Sequence, residues 1–277
     1  MGQSHRRTLY VSDLDGTLLN SRARLSERTI RTVNSLTARG VLFTYATARS
    51  HTSAYPVTKE LSISLPATTY NGAALISHSD GRYYETCPLD REQVAGILDA
   101  LRGRHAYPLS FAFIGGRERV SWMLGHENAG VLRYLSERPG DRRQRGVDSY
   151  DALFEGELFA VTMIGTREEM EALRPVYAEN PHISFHISTD AYKPDEYWLE
   201  MFRHDATKAH ALRKLKAFAG ADEVVCFGDN INDIPMFEAA DRAYAVANAR
   251  EELKAIATGI IGGNDEDGVA EWLEGNA

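Results

Sequence analysis

The rhythm of apolar and polar positions changes twice along this chain. Over the first 70 residues, short apolar runs alternate with segments whose apolar residues recur at helical spacing. Thr8 to Ser12 reads as a strand, Ser26 to Arg39 as a helix, Gly40 to Ala46 as a strand and His51 to Leu61 as a helix. Ser26 is placed to cap the first helix and Gly40 to close it. Such alternation predicts βαβ units and a parallel sheet.

From about Arg82 the signals become antiparallel. Ser79-Asp80-Gly81 joins two short apolar runs as a hairpin would, and Gly115-Gly116 separates Leu109 to Ile114 from Arg119 to Met123 in the same way. Helical patterns at Asp90 to Arg102 and Thr166 to Ala178 flank strand-like runs at Leu158 to Ile164 and His182 to Ser188. After Asp190 the first rhythm returns. Tyr197 to Phe202, Val224 to Phe227 and Arg242 to Ala245 read as strands, with helices at Thr207 to Ala219, Ile234 to Ala239 and Arg250 to Ala257. The pattern predicts an α/β core domain, residues 1–81 and 191–277, interrupted by an inserted α+β domain over 82–190.

Composition narrows the class. With 277 residues, 43% of them hydrophobic, the chain can bury one large core or two smaller ones and is no disordered tail. Lys plus Arg total 31 against 39 Asp plus Glu, so the formal charge is -8 and no whole-chain basic field exists to attract nucleic acid or an anionic membrane. No apolar stretch approaches the ~20 residues of a membrane span, and the start MGQSHRRTLYVSD leads into a strand without an apolar signal core. Cys87 and Cys226 are too few for a disulfide framework, and Cys226 lies in an apolar run that suits a reduced, buried thiol. A soluble, unprocessed, cytoplasmic protein is expected. The charged run Asp141-Arg142-Arg143-Gln144-Arg145 reads as a solvated loop.

Four segments carry candidate chemistry. Asp13 and Asp15, in Tyr10-Val11-Ser12-Asp13-Leu14-Asp15-Gly16-Thr17-Leu18, follow the first strand two residues apart, which in an extended chain turns both toward one side. In a parallel α/β sheet that is the side of the ligand crevice, although an Asp-Gly turn leaving a strand has the same sequence. Ala46-Thr47-Ala48-Arg49 closes the next strand, where the Thr47 hydroxyl and successive N–H groups would cradle an anion or merely start a helix. Phe227-Gly228-Asp229-Asn230-Ile231-Asn232-Asp233 places two carboxylates four apart and an amide at another strand end; such oxygen ligands suit Mg2+ rather than zinc. Lys208 opens a helix, where a cation opposes the macrodipole unless something anionic faces it or it is simply a surface lysine.

Charge connects the four. If Asp13, Asp15, Asp229 and Asp233 share a site with a phosphate monoester, the cluster is untenable without cations. One Mg2+ and Lys208 supply three positive charges, and a protonated Asp15 removes a negative one. The metal can then bridge a carboxylate nucleophile and a phosphoryl oxygen, while Lys208, Thr47 and Asn232 hold the remaining oxygens.

In this order, the four segments resemble the haloacid dehalogenase superfamily, most closely its Cof-type phosphatases, whose α/β cap is inserted between the second and third motifs. Tyr70-Asn71-Gly72-Ala73, Ala247-Asn248-Ala249 and Asn264-Asp265-Glu266-Asp267-Gly268-Val269 are also similar to that branch, although Asn71-Gly72 alone would read as a hairpin turn. The resemblance implies a Rossmann-like three-layer core and hydrolysis of a small phosphorylated metabolite through a phospho-aspartyl enzyme. It implies Asp13 as nucleophile, Asp15 as acid then base, and Mg2+ held by Asp13, the Asp15 backbone carbonyl and Asp229, with Asp233 either a further ligand or a group that orients them. Phosphate and substrate contacts fall to Thr47, Ala48, Arg49, Asn71, Lys208 and Asn232, and the inserted unit would close over the site. Ala48 and Ala209 stand where the family usually has Gly, and alanine disfavours positive φ. A phosphomutase with the same nucleophile is the nearest alternative. A phospho-accepting receiver module is a more distant one, because it needs neither a second catalytic carboxylate nor a lid. The sequence sets neither the substrate nor an oligomeric state.

Overall fold

The structure, a computed structural model, describes residues 6–178, 182–190 and 193–277. The expectation for the first five residues, and the residues directly after the expected boundary at 190, lie outside them. The chain forms two compact units, one running through Thr86 and resuming at Ala206, the other spanning Cys87–Asp205.

The first unit opens with β1 (Thr8–Ser12), α1 (Glu27–Ala38), β2 (Leu42–Tyr45) and α2 (His51–Thr58), followed by an antiparallel ladder of β3 (Pro66–Thr69), β4 (Ala74–Ser77) and β5 (Tyr83–Thr86). The second unit contains α3 (Arg91–Arg102), β6 (Leu109–Ile114), β7 (Arg117–Met123), α4 (Ala129–Ser136), β8 (Gln144–Val147), α5 (Tyr150–Leu153), β9 (Glu157–Gly165), α6 (Arg167–Ala178), β10 (Ile183–Asp190) and β11 (Lys193–Arg203). The first unit resumes with α7 (Lys208–Ala219), β12 (Glu223–Gly228), α8 (Ile234–Ala239), β13 (Arg242–Val246), α9 (Glu251–Lys254), β14 (Gly259–Ile261) and α10 (Gly268–Asn276). Among the described residues no helix is long and apolar enough to cross a membrane.

The core sheet is parallel throughout, in the order β14-β13-β12-β1-β2. Leu9, Tyr10 and Val11 are buried because helices cover both faces of a central parallel strand, and Val224 to Phe227 read as an unbroken apolar run for the same reason. Ser26 caps α1 by accepting from the Thr29 N–H, and Thr29, Thr32, Val33 and Leu36 make its buried face. Gly40 has φ 89°, the left-handed conformation that stops the helix and starts β2. From β1 the chain moves outward to β2 on one side, while β12, β13 and β14 extend on the other. The order reverses beside β1, where the carboxyl ends of β1 and β12 open onto one crevice.

The second unit is a six-stranded sheet in the order β10-β11-β9-β6-β7-β8, packed against α3, α5 and α6 through Ile97, Leu101, Leu153, Val161, Met163, Leu173, Leu199 and Met201. Its extent differs from the expected 82–190. The run Tyr197 to Phe202 belongs to β11, which pairs antiparallel with β10 and β9 rather than rejoining the parallel sheet. An apolar run does not reveal its pairing partner, and the hairpin with β10 decides it. The strand Pro66–Thr69 and the helix Ala129–Ser136 have no counterpart in the sequence pattern above. The run 141–145 is not the expected solvated loop either: β8 begins within it, and Arg143 is buried between Glu118 and Asp141, with an ion pair of 2.7 Å to each. Two carboxylates offset the desolvation of that guanidinium.

Glu200, on β11 opposite Thr162 and His186, has its carboxyl pushed up to about 7 by burial. A carboxyl whose folded pKa exceeds its unfolded one opposes folding wherever the unfolded state ionises first. The cost is absent below about 4.5, grows as pH rises and is complete above about 7. Glu200→Gln is therefore expected to stabilise the protein by about 1–3 kcal/mol at pH 8, with the gain vanishing near pH 4.5. Denaturant unfolding of both proteins at the two pH values checks this; an equal difference at both would refute the buried-charge account.

Candidate active site

β1 delivers Asp13 one residue past its last paired position, where the Asp13 N–H donates to the Phe227 carbonyl at 2.9 Å and locks the loop to β12. β12 delivers Asp229 in the same way, and the 3₁₀ turn Ile231–Asp233 brings Asp233 back beneath it. Oxygens of Asp13, Asp229 and Asp233 lie within 4.8 Å of one another. The spacing of four residues therefore does converge the last two carboxylates.

Lys208 is the first residue of α7, capped by Thr207, and it is fully buried. Its Nζ donates at 2.6 Å to Asp13 Oδ1 and at 2.6 Å to Asp233 Oδ1. The surface-lysine reading is thereby excluded, and the anionic groups that justify a cation in a first helical turn are these two side chains. Burial alone would lower its pKa, but the two carboxylates outweigh it and hold the ammonium charged. Asp233 Oδ2 accepts the backbone N–H groups of Asp229 and Asn230, so Asp233 both anchors Lys208 and shapes the loop that bears Asp229.

Three carboxylates and one ammonium leave the cluster negative. Burial and the neighbouring Asp233 and Asp229 hold Asp13 well above the usual carboxylate range against the pull of Lys208. Burial and Asp233 push Asp229 up to about 7. Both shifts express a shortage of positive charge. An oxygen-only donor set of this spacing fits a hard divalent cation and gives no soft ligand for zinc or iron.

Asp15, close enough for its charge to act on Asp229, is engaged by Arg49 rather than by Lys208. Arg49 grips it through two parallel bonds, Nε to Oδ2 at 2.7 Å and Nη2 to Oδ1 at 2.6 Å, while Nη1 donates to the Ser53 carbonyl. The guanidinium that the resemblance put on the phosphate thus lies on the second carboxylate. Thr47 is buried, its Oγ1 accepting from the Arg49 N–H at 3.1 Å, which leaves the hydroxyl proton to donate. Asn71 is also buried and accepts from the Asn232 amide at 3.0 Å. Neither Ala48 nor Ala209 has positive φ, and Ala209 lies within α7, so alanine carries no backbone strain at either place.

Two contributors had no role in the sequence reading. Thr17 Oγ1 donates to Asp229 Oδ1 at 3.1 Å, and a Cβ on Gly16, whose φ is 77°, would lie 2.3 Å from Asp229 Oδ2. Asn248 secures the Gly16 carbonyl at 2.8 Å. Asp-Gly-Thr at the strand end was the available signal: the glycine admits Asp229 and the threonine orients it.

A model of the haloacid dehalogenase-like hydrolase family matches residues 10–273. A putative phosphatase of Haemophilus influenzae is 27% identical over 270 residues, covering 95% of each chain. The 5-amino-6-(5-phospho-D-ribitylamino)uracil phosphatase YitU of Bacillus subtilis is 26% identical over 275 residues, covering 96% of each. Among solved structures, TM0651 of Thermotoga maritima superposes with a TM-score of 0.78 at 24% identity over 98% of each chain.

Proposed function

The chain belongs to the haloacid dehalogenase-like hydrolases, in the Cof-type branch, and from that premise we propose that this phosphatase hydrolyses small phosphorylated metabolites with Mg2+ through a phospho-aspartyl intermediate on Asp13. The observation that carries the reading is the cluster at the strand ends: Asp13, Asp229 and Asp233 within 4.8 Å, clamped by Lys208.

In this mechanism an Asp13 oxygen attacks phosphorus in line, forming one P–O bond as the bond to the leaving oxygen breaks. Asp15 gives its proton to that oxygen. Asp15, now a carboxylate, takes a proton from water as the water attacks phosphorus and the bond to Asp13 breaks, which regenerates both side chains. Mg2+, held by Asp13, Asp229 and the Asp15 carbonyl, with Asp233 supporting, would supply the charge that lets an anionic nucleophile approach an anionic ester. Lys208 shares that work and fixes the rotamer of Asp13. The Thr47 hydroxyl, the Ala48 N–H and the Asn232 amide would receive the phosphoryl oxygens, with Asn71 behind Asn232. Arg49 pairs with both Asp15 oxygens, and that pair would open for Asp15 to carry and give the proton. The metabolite class is supported by the relative that acts on a phosphorylated ribitylaminouracil.

The test is phosphate release from p-nitrophenyl phosphate and from a panel of phosphorylated metabolites, with and without Mg2+. Activity is expected to disappear with a chelator and return with Mg2+. Because a protonated carboxyl cannot ligate, the half-saturating Mg2+ concentration should fall as pH rises through about 7, to which burial and Asp233 push Asp229, and the raised Asp13 carboxyl acts in the same direction. Below that point the change is up to about tenfold per pH unit for each proton displaced. Metal-independent turnover would overturn the proposal, and isomerised sugar phosphate without free phosphate would convert it to a phosphomutase.

A further inference from the structure

Between β3 and β4 the backbone turns through three successive left-handed residues, Tyr70, Asn71 and Gly72, with φ of 52°, 54° and 108°. Only glycine adopts such angles freely; asparagine tolerates them, and a tyrosine there is uncommon. A type I′ hairpin turn places two successive residues at positive φ, so a hairpin accounts for Asn71 and Gly72 but not for the further left-handed Tyr70. Strain of this kind persists only where surrounding contacts over-determine it.

Those contacts reach three of the four catalytic segments. The Tyr70 N–H donates to the Arg49 carbonyl at 3.1 Å and the Asn71 N–H to the Thr47 carbonyl at 3.0 Å, which ties the turn to the loop after β2. Gly72 lies against the entrance of α7, where an added Cβ would come within 2.2 Å of the Thr207 carbonyl oxygen. Asn71 Oδ1 accepts from the Asn232 side chain, one residue before the Asp233 that holds Lys208. The left-handed turn therefore sets the spacing between the Thr47 loop, the start of the Lys208 helix and the Asn232 amide.

We infer that Asn71 is a positioning residue that acts through Asn232. Its side-chain carbonyl engages one amide N–H of Asn232 and so directs the other toward a phosphoryl oxygen, while its backbone fixes the height of the Thr47 loop. This inference rests on the phosphatase mechanism above and replaces a direct phosphate contact for Asn71 with an indirect one. A carbonyl oxygen would repel phosphate, and the structure shows that oxygen turned to a donor instead.

The test uses Asn71→Gly, which keeps the left-handed backbone accessible and removes the side chain that bears the acceptor, Asn232→Ala, which leaves the turn intact, and the double variant. Steady-state kinetics with p-nitrophenyl phosphate and product inhibition by inorganic phosphate are read for each. Both single variants should lose about 10- to 100-fold in kcat/KM, the scale of one hydrogen bond to a charged group. Both should also raise the inhibition constant for phosphate, and the double variant should be no worse than Asn232→Ala, since the two side chains act as a unit. Fully multiplicative losses, or wild-type phosphate inhibition in Asn71→Gly, would overturn the inference. A merely structural role would lower the melting temperature without that non-additivity. Absence of phosphatase activity in the wild type would instead overturn the mechanism beneath it, so the two failures are separable.

Discussion

Asp13→Asn is expected to reduce phosphate release by at least about 10³-fold while leaving the protein folded and no less stable. The amide matches the carboxylate in shape and can still accept from Lys208, so the 2.6 Å contact has a successor. What disappears is the anion that attacks phosphorus in the proposed mechanism. It is also one of three clustered carboxylates, of which Asp13 and Asp233 are buried against Lys208, and burial and its acidic neighbours hold Asp13 well above the ordinary range. Losing that charge should raise the melting temperature of the metal-free protein slightly even as catalysis fails. Activity assays and thermal unfolding on one preparation separate these effects; full activity would exclude Asp13 as the nucleophile.

Lys208→Met should damage both. Methionine replaces the buried stem but not the ammonium, leaving Asp13 and Asp233 facing each other without a protein cation. Removing one partner of a buried charged group costs about 3–5 kcal/mol, and a loss of at least about 10²-fold in kcat/KM should accompany it. The pH dependence identifies the cause. Without Lys208 the folded carboxylates bind protons more readily than unfolded ones, so the deficit is largest at high pH and shrinks as pH falls through their raised pKa values. Mg2+ should restore part of the stability for the same reason. Wild-type stability at pH 8 without metal would mean that the lysine does not neutralise the cluster.

These expectations rest on features of different legibility. Asp13 and Asp15 two residues apart at a strand end, and Asp229 and Asp233 four apart at another, were visible because strand and helix-entry periodicities are local. Lys208 was visible as a local anomaly, a cation where the dipole disfavours one, but its partners stand 195 and 25 positions away. Local pattern also marked Ser26 and Gly40 correctly, since a cap is set by residues within one turn. It failed for Arg143, because burial of an arginine depends on whether two carboxylates happen to converge on it. It failed again for β11, whose apolar alternation suits an antiparallel or a parallel partner equally.

Sequence by itself thus determined the fold class, the strand ends that bear carboxylates and the acidity that calls for a cation, since periodicity and charge are properties of neighbouring residues. Tertiary structure alone decided that Arg49 holds Asp15, that Asn71 serves Asn232 from a left-handed turn and that the 197–202 strand lies in the antiparallel sheet. Each of those is a pairing between segments apart in the sequence, fixed by folding and carried by no local pattern of neighbouring residues.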